Sequence, residues 1–187
     1  LFLDCDKVGI RMVHCVGGGP GASDLITGRG DRLLREADVV IYAGSLVNPE
    51  LLKGCRTDCA VYDSAYMTLE EVLEVIRDAE RRGEMTVRLH TGDPSIYGAI
   101  REQMDALDAL GISYEVCPGV SSFCGAAAAL QLEYTLPSIS QSVVITRMAG
   151  RTPVPERESI RSFSQHPTTM EMFLSAGHLG SLSFKQI

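Results

Sequence analysis

The sequence predicts an α/β fold built on a five-stranded parallel sheet. Five short runs rich in β-branched residues fall between residues 12 and 117 and alternate with stretches of helical periodicity. That alternation builds βαβ units and hence parallel strands. Glycine sits beside proline just after the first, fourth and fifth of those runs, in "GGGPGASD", "TGDPSIYG" and "PGVSS".

The elements follow in order. Residues 1–11, "LFLDCDKVGIR", lack periodicity and read as a leader outside the fold. "MVHCV" (12–16) is a strand, "GDRLLREA" (30–37) a helix, "VVIY" (39–42) a strand and "AVY" (60–62) a weak strand. "TLEEVLEVIRDAERRG" (68–83) is the strongest helix. Thr68 and Glu71 form a capping-box pattern at its start, Leu69, Val72, Leu73, Ile76 and Ala79 share one face, and Gly83 ends it. "MTVRLH" (85–90) is a strand, "YGAIREQMDALDAL" (97–110) a helix and "SYEVC" (113–117) a strand. "SSFCGAAAAL" (121–130) is a helix of small side chains, suited to close packing. Past Leu136-Pro137, "SVVITR" (142–147) and "TTMEMFL" (168–174) read as strands joined by a proline-bearing loop that runs into a helix. The organisation expected is an N-terminal α/β domain over 12–117 and a partial, truncated C-terminal α/β domain over 118–187.

Composition narrows the function. The 187 residues are 45% apolar and 22% charged, ordinary for a globular protein large enough to bury a core. A net charge of −7 without a basic stripe argues against a nucleic-acid surface. There is no signal peptide and no apolar run long enough to span a membrane, so a cytoplasmic protein with reduced cysteines is expected. The six cysteines include no C-x2-C pair, and Cys15, Cys117 and Cys124 sit in apolar or small-residue runs, where thiols act as small hydrophobes. The four histidines show no metal-ligand spacing, and no metal is expected.

The chemistry sits in loops. In an open parallel sheet, ligands bind beyond the carboxyl ends of the strands. Gly17, Gly19 and Ala22 match a dinucleotide fingerprint, yet Pro20 is followed by irregular sequence and the regular helix pattern starts only near Asp31. Asp38 also lies before its strand, at the wrong end to bind a ribose. Asp93 reads either as a helix cap or as a carboxylate facing a polar, cationic ligand. Ser121 and Ser122 stand at a helix start, where serine caps and ligand contacts coincide. Arg147 and Arg151 in "TRMAGRTPVPE" read either as solvated loop residues or as a stiffened platform for a carboxylated substrate.

Taken in order, "GGGPGASDLIT", "ADVVIYAGSLV", "TGDPSIYGAI", "PGVSS" and "MFLSAG" resemble the tetrapyrrole methylases, S-adenosyl-L-methionine-dependent enzymes that methylate precorrins. "YAGSLV" and "TRMAGRTPVPE" resemble the branch that methylates C11 of precorrin-4 or cobalt-precorrin-4 in cobalamin synthesis. The resemblance implies two α/β domains, a precorrin substrate and a homodimer. By position it implies a methyl-donor site made of Pro20, Thr91, Gly92, Asp93, Ile96, Ser121, Ser122 and Leu174. Arg147 and Arg151 are the candidates for substrate carboxylates. Some relatives carry an aspartate where this chain has Gly44, so no catalytic acid or base carries over. Two alternatives stay open: a methylase of the same family acting at another ring position, and an inactive truncated remnant.

Overall fold

A computed structural model describes residues 12–150 and 152–175. The expected leader over 1–11, the candidate Arg151 and the segment 176–187 lie outside the described residues. The chain divides between Gly125 and Ala126 into two compact units.

The first unit holds five parallel strands: β1 (Val13–Gly17), β2 (Val39–Tyr42), β3 (Ala60–Asp63), β4 (Thr86–His90) and β5 (Tyr114–Cys117). Their spatial order is β3-β2-β4-β1-β5, with Val16 opposite Leu89 on one side and Cys117 on the other. All five sequence-predicted strands are present. β1 and β4 are buried along their whole length; β1 reads as a mostly apolar run, whereas β4 buries Thr86, Arg88 and His90 at alternate positions. The edge strand β3 buries none of its residues, and its sequence signal was accordingly weak.

The helices are α1 (Gly28–Glu36), α2 (Leu69–Arg82), α3 (Ile100–Leu110) and α4 (Ser122–Leu130). One sheet face carries Val16, Val40, Val87 and Leu89 against Leu33 and Leu34 of α1 and Leu51 of a 3-10 segment at Pro49–Gly54. The other carries Val13, Val39 and Ile41 against Val72, Ile76 and Ala79 of α2 and Leu107 of α3. The strand order explains this split. From β1 to β2 to β3 the chain moves one way across the sheet; from β3 to β4 to β5 it moves back. Right-handed crossovers moving in opposite directions must use opposite faces.

Local sequence accounts for the helix ends. Thr27 caps α1 by accepting from Gly30 N–H at 3.1 Å. Thr68 and Glu71 form the expected capping box: Glu71 N–H donates to Thr68 Oγ1 at 3.2 Å and Thr68 N–H donates to Glu71 Oε2 at 2.7 Å. Helix α3 starts at Ile100, three residues later than the apolar spacing predicts. The reason is backbone geometry: Tyr97 (φ 54°) and Ala99 (φ 49°) are left-handed, so residues 97–99 form a tight turn instead of a helical one. Each such residue costs about 1–3 kcal/mol and persists only where surroundings fix it. Helix α4 buries none of its residues, contrary to the close packing expected of its small side chains, and Cys124 is exposed. It comes close to the first loop at Gly125, where an added Cβ would lie 2.5 Å from Pro20 Cβ.

The second unit contains β6 (Val143–Arg147) and β7 (Thr169–Phe173), parallel and in register from Val143 opposite Thr169 to Arg147 opposite Phe173. A 3-10 turn at Glu156–Glu158 and the short α5 (Ile160–Phe163) connect them. Thr68→Ala removes the α2 cap and is expected to lower stability by about 1 kcal/mol, read as a shifted urea midpoint at unchanged slope.

Candidate functional site

The site candidates of the first unit meet at the carboxyl rim of the sheet. There β4 is flanked by β1 and β2, whose following connections run to the opposite face from its own. Such a switch point opens a crevice at the strand ends. The loops after β1 and β4 are stitched across it: Gly92 N–H donates to Gly19 O at 2.9 Å and Gly19 N–H to Gly92 O at 3.3 Å. Gly18 N–H adds a bond to His90 O at 2.8 Å.

Glycine here serves close approach. A Cβ on Gly17 would sit 2.6 Å from Gly92 O and 2.6 Å from Gly119 Cα, distances no side chain tolerates. The three strand-end loops therefore pack backbone on backbone at Gly17 and Gly119, where no side chain has room, while Gly92 is held to glycine by its positive φ of 58°.

Asp93 locks the second pair of loops. Its Oδ2 accepts from Gly119 N–H at 2.9 Å, while Oδ1 accepts from Ser95 N–H at 2.9 Å and from Ser95 Oγ. Burial alone would raise its pKa, but the bonds from Ser95 and Gly119 hold the carboxyl below its ordinary value. It does not cap α3, whose N-cap Ala99 has no side-chain bond. Pro20 is half-buried against Gly125. Thr91 and Ile96 are half-buried, Gly92 is buried, Ser121 is 7% exposed beside Gly92, and Ser122 opens α4 in solvent. The structure thus gathers Pro20, Thr91, Gly92, Asp93, Ile96, Ser121 and Ser122 in three interlocked loops.

The remaining candidates belong to the second unit. Leu174 follows β7 in a left-handed conformation (φ 53°) and is 70% exposed. Ser175 accepts from Met148 N–H at 3.1 Å and donates to Phe173 O, tying the ends of β6 and β7 together. Arg147 donates from Nη1 to Met148 O and Thr152 O and from Nη2 to Pro153 O, at 3.0–3.3 Å. Among the described residues, three of its five N–H groups thus hold its own loop, leaving Nε–H and one Nη2–H for a further acceptor.

Two residues were not singled out from the sequence. His90 is 3% exposed, donates to the Gly98 backbone and leaves Nε2 without a partner. Burial, helped by the nearby Arg88 charge, pushes its pKa down to about 3. Arg88, 7% exposed, reaches three neutral acceptors from the middle of β4. The sequence shows them only as two polar residues within the strand run "MTVRLH". Asp38 stays at the amino end of β2, where Oδ2 accepts from Met85 N–H at 2.8 Å, so it does not stand at the rim where a ribose-binding acid would. Helix α1 begins at Gly28, well past the glycines, and presents no N-terminus within them. Among the described residues no cluster of histidine, cysteine and carboxylate side chains forms a metal site, and no helix is long and apolar enough to cross a membrane.

These features define an open parallel α/β sheet with a glycine-built carboxyl rim, with no phosphate-gripping helix N-terminus among its glycines and Asp38 at the opposite end of β2. The chain belongs to the tetrapyrrole (corrin/porphyrin) methylases, whose family model matches residues 12–183. It is 53% identical over 164 residues to the cobalt-precorrin-4 C(11)-methyltransferase of Methanocaldococcus jannaschii, covering 88% of this chain and 63% of that one. Among solved structures, the cobalt precorrin-4 methyltransferase CbiF matches with a TM-score of 0.87 and 45% identity over 90% of this chain and 70% of that one. The uroporphyrin-III C-methyltransferase of Thermus thermophilus, complexed with S-adenosylhomocysteine, matches with a TM-score of 0.71 and 29% identity over 89% of this chain and 67% of that one. The chain thus spans under two thirds of the length of the Methanocaldococcus relative.

Two predictions follow from the rim. Gly119→Ala should destabilise the first unit by about 1–3 kcal/mol through overpacking, whereas Gly54→Ala, whose Cβ would meet nothing within 4 Å, should stay near neutral in the same urea titration. His90 protonates near pH 3 when folded, while an unfolded histidine does so near about 6.5. The unfolded chain holds more protons between those values, so stability falls as pH drops through them, by about 1.4 kcal/mol per pH unit from this group. His90→Asn should remove that part of the slope; equal slopes for both proteins would refute the assignment.

Proposed function

We propose that the protein transfers the methyl group of S-adenosyl-L-methionine to C11 of precorrin-4 or cobalt-precorrin-4. Its family and the named activities of its relatives support the reading. The observation that carries it is electrostatic. Across the rim segments 17–21, 91–96 and 118–122, the sole charged side chain is the Asp93 carboxylate. A rim without lysine or arginine suits a sulfonium cation and offers nothing to a pyrophosphate.

The residues fit such a donor. Backbone groups at a glycine-built rim allow close approach, and the Thr91 and Ser122 hydroxyls add polar contacts. Pro20, Gly92, Asp93, Ile96 and Ser121 are the further donor-contacting residues assigned in the first unit, and Leu174 is the one assigned in the second. Arg147 and Arg151 would pair with substrate carboxylates. The donor supplies an already activated methyl group. The protein's part is then to align it with the ring carbon and exclude water, which requires no nucleophile and no paired carboxylates. We extend the proposal to a cytoplasmic homodimer, which the family resemblance supports and sedimentation equilibrium would test.

Calorimetric titration should show binding of S-adenosylhomocysteine and none of NADH; the reverse result would overturn the donor assignment. With labelled donor and either precorrin-4 or cobalt-precorrin-4, the label should appear at C11. Label at another ring carbon would instead place the chain with a different methylase of the family.

A further inference from the structure

Arg88 lies in the core of the first unit, on the central strand. Burial disfavours its charge, yet the guanidinium is satisfied from three directions. Nε donates to Gln103 Oε1 on α3, Nη1 to Ile41 O at the end of β2, and Nη2 to Ser64 Oγ just past β3, each at 3.0 Å. None of these acceptors is a carboxylate. An apolar residue of similar length would fill the same space without desolvating a charge, so the cation is an expensive choice for packing alone.

The second layer of bonds shows what the choice connects. Gln103 Nε2 donates to Ala99 O at 3.2 Å, gripping the left-handed residue that closes the loop after β4. Ser64 Oγ donates to Tyr42 O at 2.9 Å, gripping the exit of β2 just before Gly44. One guanidinium therefore stands between the loop at 91–99 and the loops at 42–46 and 63–66, with every link a hydrogen bond inside the same unit.

We propose that Arg88 is a positioning residue that couples the loop after β4 to the loops after β2 and β3, so that the two sides of the carboxyl rim shift together. The coupling stands on these bonds alone. Only its meaning for methyl transfer, that seating a donor on residues 91–96 sets the shape of the neighbouring rim, rests on the proposed function.

Hydrogen exchange on the ligand-free chain tests the coupling. Ser64→Ala should speed exchange at 91–99, across the sheet from the substitution, by roughly tenfold, as expected for losing one bond to a charged donor. Gln103→Met should do the same at 42–46 and 63–66. Amides of β1 serve as the reference and should not change, which separates coupling from general destabilisation. Arg88→Met should loosen both regions at once, and Arg88→Lys, which cannot reach three acceptors in a fork, should fail to restore either. If Ser64→Ala and Gln103→Met each disturb only their own surroundings, the proposal is wrong, whether or not the Arg88 variants fold. Calorimetry with S-adenosylhomocysteine is a separate arm. Coupling without any binding by the unaltered chain would sink the donor reading and leave the positioning role of Arg88 intact.

Discussion

The backbone contact among Gly17, Gly92 and Gly119 is the constraint on which the rest of the first unit depends. It brings the ends of β1, β4 and β5 closer than any side chain would permit. Once the three loops touch, their polar groups have few choices. Gly19 and Gly92 must satisfy each other, and the N–H of Gly119 must find the Asp93 carboxylate. The prolines beside these glycines hold the chain's exit direction and donate no competing N–H. Covalent and steric limits thereby constrain the backbone of the rim where the three loops meet.

Beneath that rim the core is unusually polar for a central strand. β4 carries Thr86, Arg88 and His90 on alternate positions, all buried. They face the side packed by α2 and α3, while Val87 and Leu89 face α1. One side of the strand is thus conventional packing, and the other is a hydrogen-bonding column that reaches the strand-end loops. The left-handed turn at Tyr97 and Ala99 is held by that column, through His90 to Gly98 and through Arg88 and Gln103 to Ala99. Strain at the surface and burial of polar groups below it are two halves of one device.

Much of this was legible in the sequence, for identifiable reasons. Buried parallel strands write apolar runs, and the Thr68–Glu71 capping box writes a four-residue signature, so both could be read. The start of α3 could not: the apolar spacing of Tyr97, Ile100 and Met104 suits a helix, and only tertiary fixation turns residues 97–99 the other way. Asp93 was visible as the lone carboxylate of its loop, but its partner Gly119 lies 26 residues away, and no local pattern announces such a pairing. Arg88 is not legible as a buried residue, because a single charge in a strand normally marks a solvent-facing position. Burial on both faces changes its meaning, and burial is a property of the sheet and not of the run "MTVRLH".

The strand order carries a consequence for how the chain acquires its structure. β2 and β3 are neighbours in sequence and in space, but β1 pairs only with β4 and β5. β1 therefore stays unpaired, a largely apolar segment, until β4 has been made, and its second partner β5 follows only at residue 117. Non-local parallel pairing of this kind is slow and exposes sticky edges while it is incomplete. The glycine-rich stretch after β1, which forms only one 3-10 turn at Ser23–Leu25 before α1 begins at Gly28, leaves that strand free to stay extended in the interval. The residues that shape the finished rim are, during synthesis, a flexible tether on a strand awaiting its partners.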